Sequence, residues 1–294
     1  MPGLQMLKAL WAYRRFVWSS VLRDFNARYR ESLLGAFWAV ASPLAMIVIY
    51  TVIFGQLMRP TLAGHQNTPF AFSIFLCAGV LTWGLFAEML GGLNGVFLAY
   101  GNLIKKANFP RICLPAIVVL SALVNFAIVM AIYLAFLALI GHWPGWPLLA
   151  AVALLALQIL FALGLGVFLG TLNVFFRDVG QLTGIVLQFW FWLTPIIYTA
   201  SSLPAAARRV LELNPMAPLI QAYQTVFLER QWPAWSPLLP LLVLTLIFLM
   251  LGASFFLRRV GELVDELCWA PWLFPTSARP TSATRASGPV CANG

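Results

Sequence analysis

Charged residues are scarce in this 294-residue chain: Asp, Glu, Lys and Arg make up 9% of it, whereas 62% of the residues are hydrophobic. The segments without any charged residue include Ser32–Met58 with 27 residues and Ile112–Phe176 with 65 residues. A helix needs about 20 apolar residues to cross the hydrocarbon layer of a membrane, and a soluble core does not require uncharged runs of this length. The scarcity of charge therefore predicts an integral membrane protein with several spans.

Groups that catalyse reactions or bind metals are also scarce. His65 and His142 are the only histidines and both fall in predicted outside loops, so they cannot build a zinc site or a histidine-based catalytic set. No Gly-x4-Gly-Lys-Ser/Thr loop is present to hold nucleotide phosphates, and the four cysteines lack pairing or metal-binding spacing. We expect no enzymatic activity and no metal or cofactor in this chain. One acidic residue within a span, Glu88, is weak support for an ion-coupled carrier.

The apolar segments predict an all-α membrane protein with six spans, because uninterrupted runs of this kind do not resemble the alternating strands of a barrel. The spans are predicted at 34–58, 69–98, 112–140, 148–172, 180–200 and 236–257. With both termini cytoplasmic, 14 of the 18 basic residues lie inside and four lie outside, as the positive-inside rule requires. A pI near 9.9 is then explained by contact with anionic lipid, and no nucleic-acid partner is expected.

Three regions are expected along the chain. Residues 1–30 are predicted to form a cytoplasmic amphipathic helix in the membrane interface, or simply a basic topological anchor. Residues 31–260 form the six-span domain. Residues 261–294 form a cytoplasmic tail rich in Pro, Ser, Thr and Ala, which is predicted to be disordered. The interface helix is indicated by apolar residues at helical spacing between basic ones, namely Leu7, Leu10, Trp11, Val17, Trp18, Val21, Leu22 and Phe25.

Four sequence blocks, in order along the six-span plan, together resemble one protein family. They are RDFNARYRESLLGAFW at 23–38, NLIKKANFPR at 102–111, NVFFRDV at 173–179, and WLTPIIY at 192–198 followed by NPMAP at 214–218. Residues 8–260 resemble the permease subunits of type-2 ABC exporters for lipid-linked polysaccharides, which include O-antigen, capsule and teichoic-acid transporters.

The resemblance implies a homodimer in the bacterial inner membrane whose two copies form one channel. It also implies two cytoplasmic ATPase subunits, which would carry ATP and Mg²⁺, and a lipid-linked glycan as substrate. A type-2 ABC permease for a smaller amphiphile, such as a drug or lipid, remains an alternative. An ion-coupled secondary carrier is a third possibility and would lack an ATPase partner.

The short basic loop between the second and third predicted spans is the expected ATPase-coupling loop. Pro110 ends any helix that precedes it, and a short helix there would pass ATPase motion to both spans. An ordinary positive-inside loop would look similar. The residues concerned are Asn102, Leu103, Ile104, Lys105, Lys106, Asn108, Phe109, Pro110 and Arg111.

Aromatic residues, 14% of the chain, provide candidates for a channel lining. Sugar rings stack on aromatic faces through their C–H groups, so such a lining would let a glycan slide without fixed ion pairs. Packing and interfacial belts explain the same residue types. Trp38 and Trp192 are the preferred candidates within the full set of Phe37, Trp38, Tyr50, Phe54, Phe189, Trp190, Trp192 and Tyr198.

The segment before the last span is too long for a hairpin and is expected to form short external re-entrant helices that cap the channel exit, unless it is a plain surface loop. Its candidate gate residues are Arg208, Arg209, Asn214 and Pro215. Glu88 is expected to make a polar contact between spans or to line a water-filled vestibule. The motifs Gly91-x3-Gly95 and Gly166-x3-Gly170 both predict close helix packing.

Overall fold

The structure, a computed structural model, describes residues 11–30, 37–53, 70–101, 113–199, 204, 209 and 211–269. These residues form helices joined by turns, with no β-strand among them, so the all-α prediction is confirmed for this part of the chain. The helices are α1 Arg14–Arg30, α2 Phe37–Val52, α3 Ala71–Ala99, α4 Cys113–Leu139, α5 Leu148–Phe175, α6 Asp178–Leu193, α7 Met216–Gln224 and α8 Leu239–Trp269. A π-helical turn, Thr225–Glu229, continues α7, and a 3-10 turn, Ser236–Leu238, leads into α8.

Four of these segments are long and apolar enough to cross a membrane: α3, α4, α5 and residues Ser236–Arg259. Their ends lie within a few residues of the predicted spans 69–98, 112–140, 148–172 and 236–257. This agreement is expected because length and hydropathy alone decide whether a helix can span the hydrocarbon layer. The helix α8 continues to Trp269, beyond the predicted domain boundary at residue 260, whereas 270–294 lie outside the described residues.

The other two predicted spans correspond to shorter helices. Helix α6 has 16 residues, about 24 Å at 1.5 Å per residue, less than the roughly 30 Å of a hydrocarbon core. It ends at Leu193 because Thr194 adopts extended backbone and Pro195 lacks an N–H to continue the helix. The predicted fifth span, 180–200, is therefore too long at its carboxyl end. Helix α2 also has 16 residues and contains Pro43; the flanking segments 31–36 and 54–69 lie outside the described residues.

Helix α3 is the central element of the described fold. It packs against α5 and α4 most extensively, and also against α7, α6 and α2. Helix α5 in turn packs along α8. Most of the side chains of α3 are buried, including the aromatic residues Phe75, Trp83, Phe86 and Phe97. This position allows α3 to link the short helices to the long ones.

Glycines on α5 allow its two neighbours to approach closely. A Cβ built at Gly166 would lie 2.6 Å from the Cβ of Leu93 on α3, and one built at Gly170 would overlap the Leu93 carbonyl oxygen. The predicted packing role of Gly166-x3-Gly170 is confirmed by this geometry. At Gly91-x3-Gly95 a Cβ built at either glycine meets no described atom within 4 Å, so the same packing role stays a prediction there.

Helix α1 lies against the start of α4. Val17 and Val21 are buried in a small cluster with Val96 and Phe97 of α3, Cys113, Leu114 and Ile117 of α4, Val174 of α5, and Phe256 of α8. Trp11, Trp18 and Leu22 of the same segment remain exposed. The helix therefore has one face in the protein core and another that presents apolar side chains outward, as expected for an amphipathic interface helix.

Candidate translocation surface

The aromatic run 189–192 divides into two outward and two inward side chains. Phe189 and Trp192 are 68% and 61% exposed. Trp190 and Phe191 turn toward α3, where both contact Trp83 at ring-centroid distances of 6.0 and 5.9 Å. Successive helical residues are about 100° apart, so a run of four must point to different sides. Trp192 and Phe189 are thus placed on a free surface of the protomer, and Trp190 lies mainly in a protein contact.

The first described residues of α2 present a second exposed aromatic pair. Phe37 and Trp38 are 59% and 49% exposed and contact each other edge to face at 6.0 Å. Tyr50, near the other end of α2, is half-buried and packs against the main core. Phe54 lies outside the described residues. The exposed candidates therefore occur on α2 and α6, which at 16 residues each are the shortest of the helices that correspond to predicted spans.

A strip of small residues is open on α3. A Cβ added at Gly84, Gly91 or Gly95 meets no described atom within 4 Å, and these residues recur at intervals of seven and four along one helix face. The face toward α6 carries Trp83, and the face toward α4 carries Gly92, where an added Cβ would lie 2.7 Å from a Val118 side-chain carbon. The open strip thus lies between the α4 and α6 contacts of α3.

Glu88 lies on the edge of this open strip and bonds to α4. The amide Nδ2 of Asn125 donates a hydrogen bond of 2.9 Å to Glu88 Oε2. The carboxylate is half-buried, so it makes the predicted polar contact between spans while remaining partly accessible. Helix association in a membrane is stabilised by such contacts because lipid offers no hydrogen-bond partner.

Three amides in the long uncharged segment make contacts that the motif analysis did not identify. Asn125 binds Glu88, Gln158 donates to the Thr82 carbonyl at 2.7 Å, and Asn173 donates to the Asn94 carbonyl at 2.9 Å. All three bonds join α3 to a neighbouring helix. The available signal was the presence of an amide within an otherwise apolar span, where an unpaired polar group is costly.

Asn214 joins the end of α6 to the start of α7. Its Oδ1 accepts hydrogen bonds from Trp190 Nε1 at 2.8 Å and from the Met216 backbone N–H at 3.0 Å. Its Nδ2 donates to the Leu193 carbonyl and to Thr194 Oγ1 at 3.1 and 3.0 Å. The side chain is buried, so these four contacts hold the turn after α6 in one arrangement.

Helix α7 and its π-helical continuation are buried in the protein. Met216, Leu219, Ile220 and Tyr223 are almost completely inaccessible, and the helix packs against α3 and α5. The ring Nε2 of His142, in the turn between α4 and α5, lies 2.9 Å from the Leu228 carbonyl. Helix α7 and its continuation therefore pack against the long helices instead of lying on the protein surface.

The remaining gate candidates are described only in part. Arg209 is exposed and Pro215 is half-buried directly before α7, while Arg208 lies outside the described residues. Tyr198, another channel candidate, is half-buried and donates a hydrogen bond of 2.9 Å to the Trp192 carbonyl. The bond stabilises the turn that follows α6.

All nine predicted coupling-loop residues lie outside the described residues, but both ends of the loop are described. Gly101 and Cys113 are buried at these ends. Tyr100, next to Gly101, has its hydroxyl 3.3 Å from both carboxylate oxygens of Asp24 on α1. Burial and the neighbouring Asp24 carboxylate raise the pKa of Tyr100, which keeps the hydroxyl protonated as the donor. The end of α3 that precedes the loop is therefore linked to α1.

These features define an all-helical membrane protein with a buried short helix before its last long span, and the described residues contain no cluster of His, Cys, Asp or Glu suited to a metal. Residues 15–228 match the ABC-2 type transporter family of membrane proteins. The chain belongs to this family.

Named relatives extend over most of the chain. An O-antigen export system permease protein RfbA from Myxococcus xanthus is 31% identical over 266 residues, which cover 90% of this chain and 100% of the relative. An RfbA protein from Klebsiella pneumoniae is 30% identical and covers 70% of this chain and 78% of its own length. The polysialic acid transport protein KpsM of Escherichia coli is 21% identical, covering 81% of this chain and 91% of its own length.

Proposed function

We propose that this chain is the membrane-spanning permease subunit of an ATP-driven exporter for a lipid-linked polysaccharide. The observation that carries the proposal is the full-length similarity to a permease named for O-antigen export, together with family membership over residues 15–228. The protein acts in the bacterial inner membrane with both termini in the cytoplasm. ATP is hydrolysed by a separate subunit present in two copies.

Two copies of the chain form the channel in this proposal. The exposed aromatics Phe37, Trp38, Phe189 and Trp192 lie on α2 and α6, and the open glycine strip of α3 provides a smooth surface. Flat aromatic faces accept successive sugar rings without requiring one particular sequence, while small residues leave space for them to pass. The buried segment from Asn214 to Leu228 forms the cap at the external end.

Coupling to the ATPase takes place through residues 102–111. Both ends of this loop continue into buried positions, Gly101 on one side and Cys113 on the other. Force applied to the loop therefore reaches α3 and α4 directly, and it reaches α1 through the contact between Tyr100 and Asp24. A loop with exposed, loosely packed ends would absorb the same motion.

The function is tested by deleting the gene in its host and following the surface polysaccharide. Loss of surface polysaccharide with intracellular accumulation of its lipid-linked precursor is expected, and the wild-type gene should reverse both effects. An unchanged surface polysaccharide, with impaired efflux of a small amphiphile instead, would contradict the proposal and support the smaller-substrate permease.

Coupling is tested separately with Lys105→Gln/Lys106→Gln and Phe109→Ala variants. We expect these changes to weaken ATPase co-purification and to reduce export while the permease remains in the membrane. Arg258→Gln is the control because it removes a basic charge from α8, distant in sequence from the loop. Normal co-purification and export in both loop variants would show that the loop acts only as a topological anchor.

A further inference from the structure

A cavity of about 940 Å³ lies between α1, α4, α5 and α8, away from the exposed faces of α2 and α6. Its volume is within the roughly 300–1,000 Å³ of typical ligand pockets. The lining includes Pro115 in the first turn of α4 and Phe256 near the end of the last span, so the cavity lies at the end of these helices where α1 packs. From Phe256 the lining extends to Leu249, which is about 10 Å along the helix at 1.5 Å per residue.

The cavity is lined almost entirely by hydrocarbon. Its apolar lining includes Val119, Leu120, Leu163, Val167, Leu249 and Phe256. Ser19 is also in the lining, but its hydroxyl already donates a 2.9 Å hydrogen bond to the Phe16 carbonyl. A bound water needs two to four polar partners, and a sugar needs more. An acyl chain is the ligand that matches this lining.

Two arginines complete the lining at its exposed edge. Arg14 and Arg15 belong to the first turn of α1, and both side chains are exposed. The Arg14 guanidinium lies 5.0 Å from the centre of the Trp11 ring and donates to the Trp11 carbonyl at 3.1 Å, which orients it. Within the described residues, neither arginine forms an ion pair with a carboxylate. Both arginines line the same cavity, and the donors of a guanidinium group match the oxygens of a phosphate.

We propose that this cavity binds an anionic phospholipid of the leaflet that contains α1. One acyl chain occupies the space between the four helices, and the phosphate binds Arg14 and Arg15. The exposed Trp18 and Leu22 on the same side of α1 continue the apolar surface toward the surrounding lipid. This lipid site is independent of the proposed polysaccharide transport, because none of the channel-lining candidates lines the cavity. It requires only that the protein lies in a membrane.

The experiment uses the purified full-length chain and native mass spectrometry. Phosphatidylglycerol and phosphatidylethanolamine with identical acyl chains are the probes. We expect phosphatidylglycerol to be retained more strongly, and Arg14→Gln/Arg15→Gln to lower its binding on the order of tenfold, given the contribution of each basic residue at an anionic surface. Ala253→Trp, which fills the cavity from α8, should reduce binding of both lipids. Arg258→Gln is the matched control, since this exposed arginine is on α8 but does not line the cavity.

The melting temperature of each variant is measured alongside binding to separate loss of lipid from loss of folding. The arginine substitutions change α1 and the Ala253→Trp substitution changes α8, so the two perturb different helices. Equal retention of both lipids that is unaffected by either substitution would overturn the proposal. It would also be overturned if the lipid lost from the arginine variant were a polyprenyl-linked species, because the cavity would then belong to the export route. A third result would also overturn the proposal: lipid binding that appears only after removal of residues 1–10 would show that this segment of the chain occupies the cavity in place of a lipid.

Discussion

The crossing of α5 and α8 provides a quantitative test of the helix packing. A Cβ built at Gly164 would lie 2.7 Å from the Leu249 backbone nitrogen and 2.9 Å from the Phe248 carbonyl carbon. From the other helix, a Cβ at Gly252 would lie 2.7 Å from the Gly164 carbonyl oxygen. The obstructing atoms are backbone, so no side-chain rotation can relieve the contact. Gly164→Ala must therefore move the two helices apart.

The expected cost follows from these distances. Normal contact between carbon atoms is about 3.5–4.0 Å, so the helices must separate by several tenths of an ångström. A gap of about 0.5–1 Å removes a quarter to a half of the dispersion energy of each affected contact. Overpacking of this kind costs about 1–3 kcal/mol. Alanine recovers up to about 1 kcal/mol of helix propensity relative to glycine. We therefore expect a net loss of up to about 2 kcal/mol in the free energy of unfolding relative to the wild type, and of about 1–3 kcal/mol relative to a Gly→Ala change at an open helical position.

The assay is unfolding of the purified protein in mixed micelles with increasing SDS, followed by tryptophan fluorescence. Gly184→Ala is the matched control, because its added Cβ meets no described atom within 4 Å on α6 and should leave stability unchanged or slightly higher. Equal unfolding midpoints for Gly164→Ala, Gly184→Ala and the wild type would refute the close crossing of α5 and α8.

Three further predictions concern the translocation surface and its supports. Trp192→Phe should retain most of the export and Trp192→Leu should lose it. Stacking on an aromatic ring contributes about 1–3 kcal/mol, and only the Phe variant keeps a ring face for the sugar. Equal export by both variants would show that Trp192 serves only in packing. Asn214→Ala should lower the free energy of unfolding by about 2–4 kcal/mol, because Trp190 and Met216 each lose an acceptor, and unchanged SDS unfolding would contradict this. Tyr100→Phe should cost at most about 1 kcal/mol and increase proteolysis of α1, and unaltered cleavage would show that the Asp24 contact does not hold this helix.

Local composition was sufficient to predict the membrane class and the long spans. A helix spans the hydrocarbon layer when it is long and apolar enough, and both properties can be read from consecutive residues. Predictions at segment ends were less accurate where backbone geometry decided the end, as at Thr194 and Pro195 after α6. The family resemblance could also be recognised from four short blocks, because it depends on the order of residues rather than on their contacts.

The sequence by itself therefore determined the all-helical membrane fold, its long spans and the family. Only the tertiary structure decided which side chains meet. Gly166-x3-Gly170 and Gly91-x3-Gly95 have the same spacing, yet only the first lies against another described helix. Likewise, Trp190 bonds to Asn214, whereas Trp192 is exposed two residues later. The physical reason is that a motif fixes the face of its own helix, while the rotation of that helix and the position of its neighbours depend on the packing of the whole bundle.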